Sequence, residues 1–279
     1  MTFQNLMTKR QTSLRATFQI TVKEVSHSMT SNTILCALQF AYEGRSFEEN
    51  FATLQSLIMQ TPHNSIVLAP ELCLSAYSYD KMEEAAAFSA AILPTLAKLS
   101  TAKTCGLTLI EKTDTGYVNN FKLFHHGVLI YTQTKAKLFS LGEEAAHFKS
   151  GNTDEISIID LNGIKIAVLI CFELRFPKLW EQIKGADLIL VPAYWGILRK
   201  KHFEALTMAL AIANQAYVLC ANGADESMAK GSAIISPFGD VTRDDNSNLI
   251  MHAFDFQEIK KMRRYLDIGL NHNASNGSF

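Results

Sequence analysis

Cys171, Glu71 and Lys135 are reactive side chains that each stand at the end of a strand-like run. Ile166 to Ile170 lead straight into Cys171, after which the chain turns polar at Glu173 and Arg175 and is stopped by Pro177. Glu71 follows IVLAP directly, and Lys135 lies in TKAKLF. Open α/β sheets present ligand crevices at the carboxyl ends of their strands, where packing alone gives no reason for such groups. A cysteine that attacks a carbonyl needs a base for its proton, a cation or amide donors for the oxyanion, and an acid for the departing nitrogen. A glutamate and a lysine beside it can supply all three. Read singly, each residue has a plainer role. Cysteine is among the most buried residue types, Glu71 suits a helix N-terminus, and Lys135 suits a solvated strand end.

The elements that must position these groups follow from periodicity. TILCALQF reads as a buried strand, and FEENFATLQSLI has helical spacing at Phe47, Phe51, Leu54, Leu57 and Ile58. SIVLAPELCL reads as a strand ended by Pro-Glu, and residues 81–99 as a helix. CGLTLIEK and NFKLFHHGVLIYTQTKAKLF are strands with a hairpin at His126-Gly127, and EISIIDLNGIKIAVLICF turns at Asn162-Gly163. A helix through Leu179 to Ile183, the strand ADLILVPA, the helix HFEALTMALAIANQ and the strand AYVLCANG come next. GSAIISPFGDV and LIMHAFDF are the last strands. Strands alternating with helices predict an α/β fold, and the hairpins predict mixed sheets. Residues 33–267 form one domain, residues 1–32 a loose arm or an artefact of start-site choice, and residues 268–279 a polar, frayed tail.

Composition excludes several classes. The chain has 279 residues, 48% hydrophobic and 19% charged, which is globular and core-rich. A formal net charge of −1, with basic residues scattered, argues against a nucleic-acid partner or an anionic membrane surface. The five cysteines are unclustered with no CxxC, which argues against a disulfide framework and a structural zinc site. No apolar stretch approaches the ~18 residues of a membrane span, and the N-terminus lacks a secretory h-region. Cytoplasm is the default location.

The motifs together resemble the nitrilase, or carbon–nitrogen hydrolase, superfamily. PELCLSAY (70–77), KAKLF (135–139) and ICFELRFP (170–177) stand in that family's order, and NNFKLFHHG, GEEAAHFKSG, GADLILVPAYW, NQAYVLCAN and GSAIISPFGDV resemble its intervening blocks. The resemblance runs from about Thr33 to Asp267. It implies a four-layer α-β-β-α sandwich with two mixed sheets, assembled as a homodimer or larger homo-oligomer. It also implies that Glu71 is the general base, Lys135 the cation for the tetrahedral intermediate and Cys171 the nucleophile, with the Phe172 N–H completing the oxyanion site. Glu143 matches the second glutamate, which positions substrate. No metal or organic cofactor is required.

The chain departs from the family in places. Gln133 and Thr134 stand where Tyr-Arg is frequent, and the usual aspartate after the cysteine is Glu173. Leu210 and Ala213 replace an Arg and a Glu three apart on a helix, so both halves of one ion pair are absent together. The segment from Cys171 to Pro177 looks like amidase branches that act on short ω-amides of dicarboxylates. Arg175 could pair with a substrate carboxylate or brace the loop through Glu173. The expectation is an amidase that releases ammonia from a small, carboxylate-bearing amide through a thioester. The alternatives are an N-carbamoyl amino-acid amidohydrolase and a non-catalytic metabolite-binding relative.

Overall fold

In β1 (Ile34–Leu38) successive side chains serve two different cores. Leu35 and Ala37 join a cluster shared with residues 164–193, whereas Cys36 and Leu38 pack with Leu54, Ile92 and Leu96. Alternate residues of a strand point to opposite faces, so a strand without a polar position must be covered on both. β2 (Ser65–Leu68) repeats the division, with Ile66 and Leu68 inward and Val67 outward.

The computed structural model describes residues 33–270; the expected N-terminal arm and residues 271–279 of the expected tail lie outside them. With β3 (Thr104–Thr113), β4 (Gly116–His125) and β5 (Val128–Thr134), the first two strands build one sheet. The second sheet comprises β6 (Ile159–Leu161), β7 (Ile164–Val168), β8 (Leu188–Ala193), β9 (Tyr217–Asn222), β10 (Ala233–Ile235) and β11 (Val241–Arg243). The remaining strand, β12 (Leu249–Ala253), returns to the first sheet and runs antiparallel to β1. The orders are β12-β1-β2-β3-β4-β5 and β11-β10-β9-β8-β7-β6. Each sheet has a parallel centre, β1-β2-β3 or β7-β8-β9, flanked by antiparallel strands.

Helices α1 (Phe47–Gln60) and α2 (Met82–Leu99) link the parallel strands of the first sheet and cover its outer face. Ser46 and Glu49 start α1 with reciprocal side-chain and backbone bonds, which satisfy two otherwise orphan donors. A short α3 (Glu144–His147) precedes the second sheet, whose crossovers are α4 (Pro177–Gln182) and α5 (Lys200–Asn214). Leu179, Phe203, Leu210 and Ala211 from these helices lie in the same buried cluster as the second sheet. The layers are therefore helix, sheet, sheet, helix: the α-β-β-α sandwich. Leu210 is fully buried and Ala213 exposed, so no buried charge is stranded where the ion pair is missing.

Both expected hairpins form, with positive φ at His126 and Gly127 and at Asn162 and Gly163, the backbone that a two-residue type I′ turn requires. Neither α3 nor a last helix was anticipated. α6 (Phe256–Tyr265) follows the last strand, capped by Asp255, and buries Ile259 and Met262. Among the described residues, no helix is long and apolar enough to cross a membrane.

Candidate active site

Glu71 stands where β2 gives way to a run of turns. Its backbone N–H donates to the Ala193 carbonyl at the end of β8, so this turn touches the second sheet. The side chain is wholly excluded from solvent. Oε1 accepts from Lys135 Nζ at 2.8 Å and from Asn119 Nδ2 at 2.9 Å. Oε2 is buried without a hydrogen-bond partner, a costly arrangement unless a ligand or reaction uses it.

Lys135 follows β5 immediately. Its N–H donates to Asn119 O, and its carbonyl accepts from Gly151 N–H. A Cβ on Gly151 would lie 2.5 Å from the Thr134 carbonyl, so only glycine admits this approach. The ammonium donates to Glu71 Oε1 and Glu144 Oε1, both at 2.8 Å, and to the Tyr77 hydroxyl at 3.3 Å. The Tyr77 hydroxyl in turn donates to Glu144 Oε1 at 3.0 Å. Burial by itself would depress the Lys135 pKa, but Glu71, Cys171 and Glu144 outweigh it and hold the group above its ordinary value.

The second glutamate beside the lysine is Glu144, not Glu143. Glu143 adopts a left-handed conformation, φ 57°, at the end of a 3-10 turn and is exposed; Glu144 opens α3 and is buried. Spacing measured back from Phe148, with three residues between, selects Glu144. Burial raises the Glu144 pKa against the pull of Lys135.

Cys171 enters from the second sheet. β7 ends at Val168, two more apolar residues continue, and Cys171 opens a 3-10 turn over Cys171–Arg175 with φ +48°. That conformation is strained for a residue with a Cβ. The thiol is buried and its pKa lies well above the ordinary value. Desolvation is the main cause and the Glu71 charge adds to it, while Lys135 and the Tyr194 N–H oppose them. At rest the group is thus a neutral thiol. A proton passed to Glu71 leaves the net charge of the cluster unchanged, so Glu71 offers a better route to the thiolate than loss to solvent.

Phe172 occupies the second position of the turn, where N–H groups have no partner within the helix. Its ring leans on Phe139 and Phe176. A cavity of about 30 Å³ is lined by Phe139, Cys171, Phe172, Arg175, Tyr194, Trp195 and Arg199. Arg175 does not pair with Glu173, whose two oxygens are taken by the N–H groups of Ala136 and Ile170. Its guanidinium lies 4.7 Å from the Trp195 ring centre and contacts His202 Nδ1 at 3.2 Å. Burial and the like charge of Arg199 lower its pKa. Among the described residues, neither arginine has a carboxylate within ion-pair distance.

Asn119, Tyr77, Glu144 and Arg199 join the site without having been read from the sequence. The first two sat inside NNFKLF and PELCLSAY but carried no separate signal. His125, six residues along β4 from Asn119, is about 20 Å away by strand rise and engages Thr104 and Asn162. Among the described residues, no group of three His, Cys, Asp or Glu side chains is placed to hold a metal.

Comparison with known proteins identifies the family. Residues 35–264 match the carbon-nitrogen hydrolase family. The 2-oxoglutaramate amidase of Bacillus subtilis is 27% identical over 85% of this chain and 95% of its own length. The omega-amidase YafV of Escherichia coli K12 is 30% identical over 63% of this chain and 70% of its own. Saccharomyces cerevisiae Nit3, a nitrilase-superfamily member, superposes with a TM-score of 0.76 over 88% of this chain and 98% of that one, at 21% identity. The match over most of the chain, on this fold, makes the protein a member of the carbon-nitrogen hydrolase family.

Proposed function

We propose that the protein is a cysteine-dependent amidase that releases ammonia from small amides carrying a carboxylate. The observation that carries this reading is the Glu71 carboxylate, with one oxygen fixed by Lys135 and Asn119 and the other buried and unpartnered, and with a charge that raises the pKa of the Cys171 thiol. A free, desolvated lone pair beside a thiol is what a general base requires.

Glu71 takes the Cys171 proton as Sγ bonds to the amide carbonyl carbon. The carbonyl π pair moves to oxygen, and that negative charge meets the Lys135 ammonium and the Phe172 N–H. When the carbonyl reforms, the C–N bond breaks and the nitrogen takes the proton held by Glu71, leaving as ammonia. Glu71 then removes a proton from water, whose oxygen attacks the thioester, and the proton returns to sulfur as the acid departs. Glu144 fixes Lys135 from the opposite side through its 2.8 Å bond. Arg175 and Arg199 supply two guanidinium groups for the substrate's carboxylate, since among the described residues neither has a carboxylate partner. Relatives named 2-oxoglutaramate amidase and omega-amidase support the same class. The five buried, free cysteines suit a reducing cytoplasm, and a homodimer or larger homo-oligomer is the working assembly.

Intact-mass measurement after brief mixing with a panel of ω-amides tests the reading. An acyl adduct on the wild type, missing from Cys171→Ala, is expected together with ammonia release. Carbon dioxide formed along with ammonia from N-carbamoyl amino acids alone would redirect it to the carbamoyl chemistry. Neither adduct nor turnover across amides, nitriles and carbamoyl compounds would sink it.

A further inference from the structure

The turn that carries Cys171 is fastened to the segment that carries Lys135 by one side chain. Glu173 is completely buried. Its Oε1 accepts from the Ala136 N–H at 2.6 Å, and its Oε2 accepts from the Ile170 N–H at 2.7 Å. Ala136 is the residue after Lys135, and Ile170 is the residue before Cys171. One carboxylate therefore joins the backbone of both segments, and with them the two sheets.

We propose that Glu173 is a positioning residue, whose carboxylate sets where the Cys171 thiol stands relative to Lys135 and Glu71. The inference rests on the reading of Cys171 as the nucleophile. Its physical basis is the φ of +48° at Cys171. Such a backbone persists only where its surroundings over-determine it, and the Glu173 bond to Ile170 fixes the residue on its N-terminal side. The 3-10 bond from Glu173 N–H to the Ile170 carbonyl closes the turn from the other.

The device works only when ionised. A carboxylate accepts at both oxygens, whereas a protonated carboxyl turns one oxygen into a donor facing an N–H and loses that bond. A glutamine has the same defect, because its NH₂ would face a backbone donor. Desolvation pushes the Glu173 carboxyl up to about 7, against the Ile170 and Ala136 N–H groups and the Lys135 charge. The other charged and titratable groups around it are Tyr131 on β5, which feels its charge, and Cys171 and Arg175 on its own turn. The tie is thus present above neutral pH and released below it.

The test needs no knowledge of the substrate. Alkylation of Cys171 by iodoacetamide is followed by peptide mass mapping from pH 5.5 to 9 in the wild type, Glu173→Gln and Glu173→Asp. Kcat and KM are measured alongside on any amide that turns over. The wild-type rate should fall through an acid limb near pH 7. Glu173→Gln should react at least tenfold more slowly, with kcat reduced by a similar factor, KM within threefold and the acid limb gone. Glu173→Asp, which keeps the charge, should react at least fivefold faster than the glutamine variant and retain the limb. A glutamine variant within threefold of the wild type, with an unchanged profile, would overturn the proposal. If that variant does not fold, the absence of an acid limb in the wild type and Glu173→Asp overturns it instead. A folded wild type whose Cys171 iodoacetamide does not modify would overturn the nucleophile reading itself, and this one with it.

Discussion

Lys135 Nζ lies 2.8 Å from Glu71 Oε1, and both side chains are wholly excluded from solvent. With Glu144 on its other side, the ammonium is the counter-charge for two buried carboxylates. Lys135→Met should therefore do two things. It should abolish turnover, and it should destabilise the fold by ~3–5 kcal/mol, the usual cost of stranding a buried charge. Urea melts of the variant and of Lys135→Met/Glu71→Gln separate the effects, because the double variant should regain part of the stability but none of the activity.

Asn119 donates to the Glu71 oxygen that Lys135 also holds, leaving the other for the proposed proton transfer. Asn119→Leu removes a hydrogen bond to a charged group, an interaction of ~1.5–3 kcal/mol, so kcat should drop by about tenfold to a hundredfold. KM should hardly change, since Asn119 does not line the cavity with Cys171. Steady-state kinetics on one ω-amide checks both values.

Arg175 and Arg199 face the same small cavity without carboxylate partners. Replacing Arg199 by Ala should raise KM about tenfold to a hundredfold for an amide bearing a carboxylate, the equivalent of ~1.5–3 kcal/mol. A neutral amide of the same length should be unaffected or improved. Equal losses on both substrates would assign Arg199 to packing against Phe139.

His125 offers a stability prediction remote from the chemistry. Burial, reinforced by His126, lowers its pKa from 6.5 to about 4, and both ring nitrogens are engaged by Thr104 and Asn162. The folded state thus binds fewer protons than the unfolded state between those values. The contribution is fully present above about pH 6.5 and is lost as pH falls through about 4. Melting temperatures of the wild type and His125→Asn, measured from pH 7 to 4, should converge as the pH is lowered.

The candidate site was legible where a reactive side chain follows a strand. Cys171 and Glu71 each stand just past a buried strand and Lys135 directly after the largely exposed β5, and strand ends are legible from local pattern. The glutamate beside Lys135 was displaced by one position because a left-handed turn at Glu143 decides which of two adjacent carboxylates points inward. Turn geometry of that kind leaves little local trace. Asn119 and Tyr77 matter because of how β4 and the turn after β2 converge on the lysine, a tertiary fact. No helix was read over residues 256–265; the Asp255 cap and the spacing of Phe256, Ile259 and Met262 were the available signals.

Glu71 and Lys135 emerge from one sheet and Cys171 from the other, and the first sheet is completed only when β12 returns to lie beside β1. The reacting groups are therefore partners across a seam, and neither half of the seam can be competent by itself. This gives the protein an internal clock for its own assembly. Contacts so distant in sequence form late relative to local ones. During refolding, helical signal should recover first, and the distinctive reactivity of Cys171 should appear only as the two halves close on each other.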